Sequence, residues 1–213
     1  MTETQYPTAT IDKEFFNVWD EKRVGKKCGA IVIGASAGGI KALLQLLGGL
    51  PFHIGVPIII VVHMPDNFES QLANVFQHHM DARVMTAEDK STIRAGCVYF
   101  AGPSYHLSIE RDYTFSVSCE DPVHFSRPAI DFLMTSAADA YGASLAGILL
   151  TGANEDGAKG MLSIHNTGGL TIIQDPADAE IAVMPKAALD LFIPDFVLPL
   201  PAIRQLILKL ENC

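Results

Sequence analysis

From Cys28 onward, short runs of β-branched residues alternate with longer stretches whose apolar residues recur at helical spacing. The strand-like runs are 28–34, 56–62, 145–150 and 170–174. The helical stretches are 39–49, 67–79, 128–141, 156–168 and 201–211. This alternation is typical of a mostly parallel sheet with helices on both of its faces. The sequence therefore predicts a doubly wound α/β domain.

The alternation of strand-like runs and helical stretches is interrupted between about residues 97 and 118. Three short runs, CVYFA, HLSIE and YTFSVS, are separated there by Gly102-Pro103 and Arg111-Asp112. Such residues favour tight turns between antiparallel strands. We expect these runs to form a small antiparallel hairpin excursion beside the main sheet.

Length and composition fit one large domain with a short extension. The chain has 213 residues, of which 49% are hydrophobic and 18% charged, so a disordered protein is excluded. No repeat and no Gly-, Pro- or Ser-rich linker divides the chain after the first predicted strand. We expect residues 28–213 to form the domain and residues 1–27 to form an N-terminal extension.

Charge and cysteine usage narrow the class of protein. A net charge of −9 argues against nucleic acid and anionic membrane surfaces as partners. The longest apolar runs are too short for membrane insertion, and the N-terminus lacks the apolar core of a secretory signal. The cysteines form no C-x-x-C pair that would indicate a disulfide scaffold or a zinc site: Cys28, Cys97, Cys119 and Cys213. We expect a cytoplasmic protein.

Three predicted strands end in residues that can carry chemistry. Ligands of open parallel sheets bind beyond the carboxyl ends of the strands. Ser36 lies in the turn GASAGG, His63 follows VPIIIVV, and Asp156 lies in LTGANEDG. If they converge, a histidine can take the proton of the serine while a carboxylate orients that histidine, as in a hydrolase catalytic triad.

Each of these residues also has a structural interpretation. The GASAGG turn overlays a dinucleotide-binding loop with Ser36 in place of the middle glycine, so phosphate binding competes with a nucleophilic role. A strand-end histidine such as His63 commonly makes structural hydrogen bonds. Asn154 or Asp156 can cap the following helix, and Glu155 is a second carboxylate beside the histidine.

Several segments resemble the catalytic domain of bacterial chemotaxis protein-glutamate methylesterases, the CheB family. The resemblance extends over roughly residues 28–200 and rests on IGASAGG, HMP, AGPSYHL, HFSRPAID, LTGANEDGAKG, QDP and MPKAA. It implies a doubly wound α/β hydrolase that removes γ-glutamyl methyl esters from chemoreceptor helices, releases methanol and in some members deamidates glutamine. It maps the triad onto Ser36, His63 and Asp156.

The resemblance implies a serine esterase that needs neither a cofactor nor a metal. Ser36 would attack the ester carbonyl with His63 as general base, and water would then hydrolyse the acyl-enzyme. We expect the backbone N–H of Ala37, in the same turn as Gly38, to stabilise the oxyanion, with Ala153 as a second donor. Family members often carry Gly-Met-Gly where this chain has GAN at 152–154, so a methionine side chain that lines the site is missing.

Two further residues are assigned to the cleft by the same resemblance. Arg127, in HFSRPAID, is a candidate for holding polar neighbours of the substrate or an acidic receptor surface; the alternative is a solvated surface arginine. Met184, in MPKAA, is expected to line the cleft wall, and ordinary core packing is the alternative.

The N-terminal extension departs from the usual family pattern. Family members carry a phosphorylatable receiver domain of roughly 120 residues ahead of the catalytic domain, which 27 residues cannot hold. We therefore expect a stand-alone form without regulation by phosphorylation in cis. Four apolar residues fit one face of a short helix that either packs on its own domain or partly covers the cleft: Phe15, Phe16, Val18 and Trp19.

These observations lead to a hypothesis of receptor adaptation in chemotaxis signal transduction. The substrate would be the methylated cytoplasmic helices of a chemoreceptor or a receptor-like protein, with a methyltransferase or kinase of the same pathway as a further partner. One alternative is a catalytically weak signalling or scaffold member. The other is a phosphate- or nucleotide-binding α/β module, which would be stabilised by its ligand and indifferent to serine-directed reagents.

Overall fold

The computed structural model describes residues 27–49, 55–64, 72–123 and 125–210, so residues 1–26 of the N-terminal extension, with the suggested helix, lie outside the described residues. The strands are β1 Ala30–Ala35, β2 Ile58–Val62, β3 Arg83–Thr86, β4 Cys97–Phe100, β5 His106–Ile109, β6 Phe115–Ser118, β7 Leu145–Leu149, β8 Leu170–Gln174 and β9 Phe196–Leu198. The helices are α1 Gly39–Leu47, α2 Leu72–Gln77, α3 Ile130–Tyr141, α4 Ala158–Asn166, α5 Val183–Leu191 and α6 Leu200–Leu210. In these ranges no helix has the length and apolar character needed to cross a membrane.

Seven strands form one sheet in the order β3-β4-β2-β1-β7-β8-β9. Every pairing in this sheet is parallel. Strands β1 and β2, with the sequences AIVIGA and IIIVV, are buried at every position. A continuous apolar run is what a parallel strand covered on both faces requires. The predicted doubly wound α/β architecture is confirmed.

Two hydrophobic cores cover the two faces of the sheet. Alternate residues of a strand point to opposite faces, so Ile31 and Ile33 of β1 pack with α1, α2 and α6. Ala30 and Val32 pack on the other face with α3, α4, α5 and the β5–β6 hairpin. The sheet is thus the middle of three layers and holds its strand ends in fixed positions.

The hairpin excursion is confirmed but is smaller than expected. Strands β5 and β6 pair in antiparallel fashion outside the main sheet. Strand β4, which the sequence grouped with them, pairs in parallel with β2 and β3. All four residues of Cys97–Phe100 are buried, and this two-sided burial is typical of a strand inside a covered sheet.

The direction of winding reverses beside β1. The chain passes from β1 to β2 on one side and later places β7 on the other side of β1. Loops that leave neighbouring strands in opposite directions open a crevice beyond their carboxyl ends. The loops after β1, β2 and β7 therefore lie where a ligand is expected to bind.

Candidate active site

The segments that follow β1, β2 and β7 meet at this crevice. The backbone N–H of Ser36 donates to Thr151 O at 2.9 Å, and that of His63 donates to Ala35 O at 3.0 Å. Ser36 and His63 line the same cavity, which has a volume of about 660 Å³. The fold thus brings the predicted serine and histidine to one opening.

His63 and Asp156 form a hydrogen-bonded pair. Nε2 of His63 lies 2.8 Å from Oδ2 of Asp156, whose side chain is fully buried. An ionised carboxylate can only accept hydrogen bonds, so Nε2 carries the proton of the neutral imidazole and Nδ1 carries the free lone pair. The carboxylate seen in contact with His63 is that of Asp156, and this contact leaves the lone pair of the ring on Nδ1.

Asp156 also accepts hydrogen bonds from the N-terminus of α3. Its Oδ2 accepts the N–H of Ile130 at 2.7 Å, and its Oδ1 accepts the N–H of Asp131 at 2.9 Å. N–H groups in the first turn of a helix have no partner inside the helix, and the helix dipole favours a negative charge there. Asp156 therefore caps a helix as well as orienting His63. The capped helix is α3. The structural interpretation of Asp156 predicted a cap on the following helix, α4, instead.

Burial and hydrogen bonding act in opposite directions on the pKa of Asp156. Loss of hydration is the largest single influence and raises the pKa. The hydrogen bonds from His63 and from the amides of Asp131 and Ile130, with the charge of His63, together outweigh it, so the pKa lies below its ordinary value of 3.8. The carboxylate is therefore ionised at neutral pH.

We expect this carboxylate to make the fold sensitive to acid. Because its pKa is lower in the folded than in the unfolded chain, its stabilising contribution is complete above about pH 4 and is lost as the pH falls through the folded-state value. Urea unfolding between about pH 3 and pH 6 would compare the native protein with Asp156→Asn. The native free energy of unfolding is expected to fall more steeply below about pH 4 than that of the variant. Parallel curves would contradict this expectation.

The turn between β1 and α1 offers free amides beside Ser36. Among the described residues, the N–H groups of Ala37 and Gly38 have no hydrogen-bond acceptor, whereas Gly39 N donates to Ser36 O at 2.7 Å. Gly38 has a φ of 77°, and a Cβ there would lie 2.9 Å from Cβ of Glu180, so this tight turn requires glycine. Two uncommitted N–H groups at a helix N-terminus suit a developing oxyanion.

The loop after β7 is fixed against the serine turn. Oγ of Thr151 donates to Ala37 O at 2.9 Å, and Asp156 N donates to Oδ1 of Asn154 at 3.3 Å. Ala153 is exposed in this loop. Its proposed role as a second oxyanion donor stays a prediction.

Met184 and Arg127 are not among the residues that line the cavity. Met184 is fully buried and packs under Gly152, where an added Cβ would lie 2.5 Å from its Cε. Nη1 of Arg127 donates to the backbone carbonyls of Cys119 at 3.3 Å and Glu120 at 3.1 Å. Both residues thus support loops of the site, and their predicted roles toward the substrate stay predictions.

Sequence reasoning missed one residue that contacts the imidazole. Oγ of Ser126 lies 3.2 Å from Nδ1 of His63. Ser126 belongs to the segment HFSRPAID, in which only Arg127 was considered a candidate. It follows no parallel strand of the main sheet, so the rule that found the other residues does not reach it.

The arrangement has the parts needed for acyl transfer. Ser36 and His63 line one cavity, and the ionised carboxylate of Asp156 accepts from the ring of His63. Two free amides, those of Ala37 and Gly38, follow the serine. In the described segments, no three His, Cys, Asp or Glu side chains are grouped as a metal site would require.

Known proteins combine this fold with closely similar sequences. A family model described as CheB methylesterase matches residues 31–207. A Leptospira interrogans protein assigned as a protein-glutamate methylesterase/protein-glutamine glutaminase is 44% identical over 183 residues, which are 86% of this chain and 95% of that protein. A Clostridium acetobutylicum protein with this activity in its name is 34% identical over 181 residues, 85% of this chain but 52% of the longer relative. The crystal structure of the Thermotoga maritima CheB methylesterase catalytic domain matches with a TM-score of 0.80 at 30% identity, over 88% of this chain and 99% of that domain.

Proposed function

This chain belongs to the CheB methylesterase family, and from that membership we propose that it is a serine hydrolase that removes methyl esters from glutamate side chains of chemoreceptors. One observation carries the proposal. Ser36 and His63 line one cavity, and His63 is held 2.8 Å from the buried carboxylate of Asp156. Because the names of the relatives include a glutaminase activity, we propose glutamine side chains as a second substrate.

The reaction begins with attack by Ser36 on the ester carbonyl. As the bond from Oγ to the carbonyl carbon forms, the hydroxyl proton passes to Nδ1 of His63. The carboxylate of Asp156 stabilises the resulting imidazolium through Nε2–H. The amides of Ala37 and Gly38 donate to the oxyanion of the tetrahedral intermediate.

Collapse of this intermediate releases methanol. The carbon–oxygen bond to the methoxy group breaks, and the proton on Nδ1 of His63 passes to the departing oxygen. Water then attacks the glutamyl–Ser36 ester and gives its proton to Nδ1. Breakage of the bond to Oγ returns that proton to Ser36 and leaves a free glutamate side chain. With glutamine as substrate the same steps release ammonia.

The cavity walls combine apolar side chains with one pair of opposite charges. Its lining includes apolar side chains of α1 and of the loop after β2, namely Ile40, Leu44 and Met64. These side chains can pack against the methylene stem and the methyl ester, while Lys41 and Glu180, whose Nζ and Oε2 are 3.6 Å apart, place one charge of each sign on the wall.

We assign the catalytic unit to residues 28–213 and the extension to residues 1–27. The proposed substrates are methylated cytoplasmic helices of a chemoreceptor or a receptor-like protein, so the protein would act in the cytoplasm. A methyltransferase or kinase of the same pathway is the further partner that this role in chemotaxis signalling implies.

Methanol release from receptor fragments bearing γ-glutamyl methyl esters tests the proposal. We expect methanol to appear in step with the loss of methyl groups from the fragment. The same fragment without methyl esters is the control and should give no methanol. Absence of methanol from several methylated receptors, with protein shown to be folded, would overturn the proposed function.

A further inference from the structure

Both ring nitrogens of His63 are engaged in the structure. Nε2 donates to Asp156, so Nδ1 has a lone pair and can only accept; Oγ–H of Ser126, 3.2 Å away, is therefore its donor. Ser36 lines the cavity beside the ring, yet its hydroxyl makes no hydrogen bond to any of the described residues. The basic atom is thus occupied by a serine other than the one in the β1–α1 turn.

The backbone after Ser126 offers fewer free amides than the backbone after Ser36. The amides of residues 129–131 are already committed, the first to Nδ1 of His106 at 3.1 Å and the other two to Asp156. The N–H of Ser126 itself donates to a backbone carbonyl at 2.8 Å. Pro128 has no N–H, so among the described residues only the amide of Arg127 is without an acceptor beside Ser126, whereas both amides after Ser36 are free. The second free amide favours Ser36 over Ser126 as the nucleophile, and Ser126 is its competitor for the base.

Several hydrogen bonds hold the described residues around Ser126. Ser126 and Val123 exchange two backbone hydrogen bonds, of 2.8 and 3.1 Å. Arg127 holds the preceding carbonyls, and Nε2 of His106 donates to Asp121 O at 3.1 Å. These bonds hold the described residues on both sides of Ser126, and rotation of the Ser126 side chain or of the imidazole is enough to break the contact with His63.

We propose that Ser126 is a positioning residue whose hydroxyl keeps the basic nitrogen of His63 hydrogen-bonded before the reaction begins. It occupies Nδ1 of His63 in the resting site and must release it before Ser36 can transfer its proton. This inference rests on the proposed role of Ser36 as the nucleophile. It adds that the hydroxyl of Ser126 competes with that of Ser36 for Nδ1 of His63 and so lowers the reactivity of Ser36 in the resting site. We expect the reactivity of Ser36 to be reduced about fivefold, because this is the factor that corresponds to the net free energy of one ordinary hydrogen bond.

The rate at which a neutral fluorophosphonate labels Ser36 tests this role. In that reaction Oγ bonds to phosphorus, the phosphorus–fluorine bond breaks, fluoride leaves and the proton passes to His63. Ser126→Val and Ser126→Thr form a matched pair, because the two side chains have nearly the same shape and only threonine has a hydroxyl. We expect the valine variant to be labelled about fivefold faster than the threonine variant, with the label on Ser36 by mass spectrometry.

The outcomes separate this inference from the proposed function. Equal rates in the matched pair, or slower labelling of the valine variant, would overturn the role of Ser126, since a merely structural residue gives a loss and not a gain. Label on Ser126 in the native protein would overturn it as well and would make Ser126 the nucleophile. Loss of label in Ser36→Ala supports the premise independently of either result. If Ser126→Val does not fold, Ser126→Ala compared with the native protein gives the same contrast.

Discussion

Replacing Ser36 with alanine is expected to lower kcat for methanol release by about 10⁴-fold or more, to the rate that binding and the free amides support alone. Without the hydroxyl no acyl-enzyme forms, while the cavity and the His63–Asp156 pair remain. The fold should persist, because the Ser36 hydroxyl makes no hydrogen bond to the described residues and the side chain is only half-buried. Initial rates at saturating methylated receptor fragment measure the effect, with thermal unfolding as the check on folding.

A serine away from the cavity gives the matched control. The hydroxyl of Ser163 bonds to Lys159 O on the surface of α4, so Ser163→Ala should retain the native rate. If Ser36→Ala kept more than about a hundredth of the native rate, Ser36 would not be the nucleophile and the hydroxyl of Ser126 would be the one to replace next.

Replacing Asp156 with asparagine is expected to lower kcat by about 10³- to 10⁴-fold. The amide of asparagine can donate to Nε2 of His63, which moves the imidazole proton to Nδ1 and removes the lone pair that serves as the base. We also expect the free energy of unfolding to fall by roughly 2–3 kcal/mol, because hydrogen bonds from α3 to a buried charge become bonds to a neutral group. Methanol-release rates and urea unfolding near neutral pH measure the two effects.

Glu155 offers the matched control for this change. Glu155→Gln removes the same charge from the adjacent, exposed position and keeps the contact between His63 and Asp156, so it should lose much less activity and stability than Asp156→Asn. Equal losses in the two variants would show that net charge in the loop matters and not the contact with His63. A stable, fully active Asp156→Asn would remove Asp156 from the mechanism.

The central strands could be predicted from sequence because each is a continuous apolar run, whatever lies beside it. Strand β3, Arg83–Thr86, is exposed at both of its ends and has no such run, and β9 has only three residues. Helix α5 contains Pro185, a residue typical of turns, which the first turn of a helix nevertheless tolerates. These elements depend on tertiary neighbours, so their local sequence did not reveal them.

The site was predictable as far as it follows strand order. Ser36, His63 and Asp156 each follow a strand at the point where the winding reverses, so one topological rule finds all three. Ser126 reaches His63 from the segment between the hairpin and α3, a contact that no spacing encodes. The cap on α3 was missed for a related reason: local capping rules consider the helix that follows Asp156 and not one that begins 26 residues earlier along the chain.

Because Asp156 caps α3, it contributes to the stability of the fold as well as to the proposed chemistry. A descendant of this chain that no longer turned over substrate would still be under selection to keep Asp156, since losing it would weaken the fold. No described hydrogen bond gives a similar reason to keep the hydroxyl of Ser36. Among diverging sequences, Asp156 can therefore be kept for the fold alone, whereas Ser36 is expected to be kept only where its proposed role as the nucleophile is used.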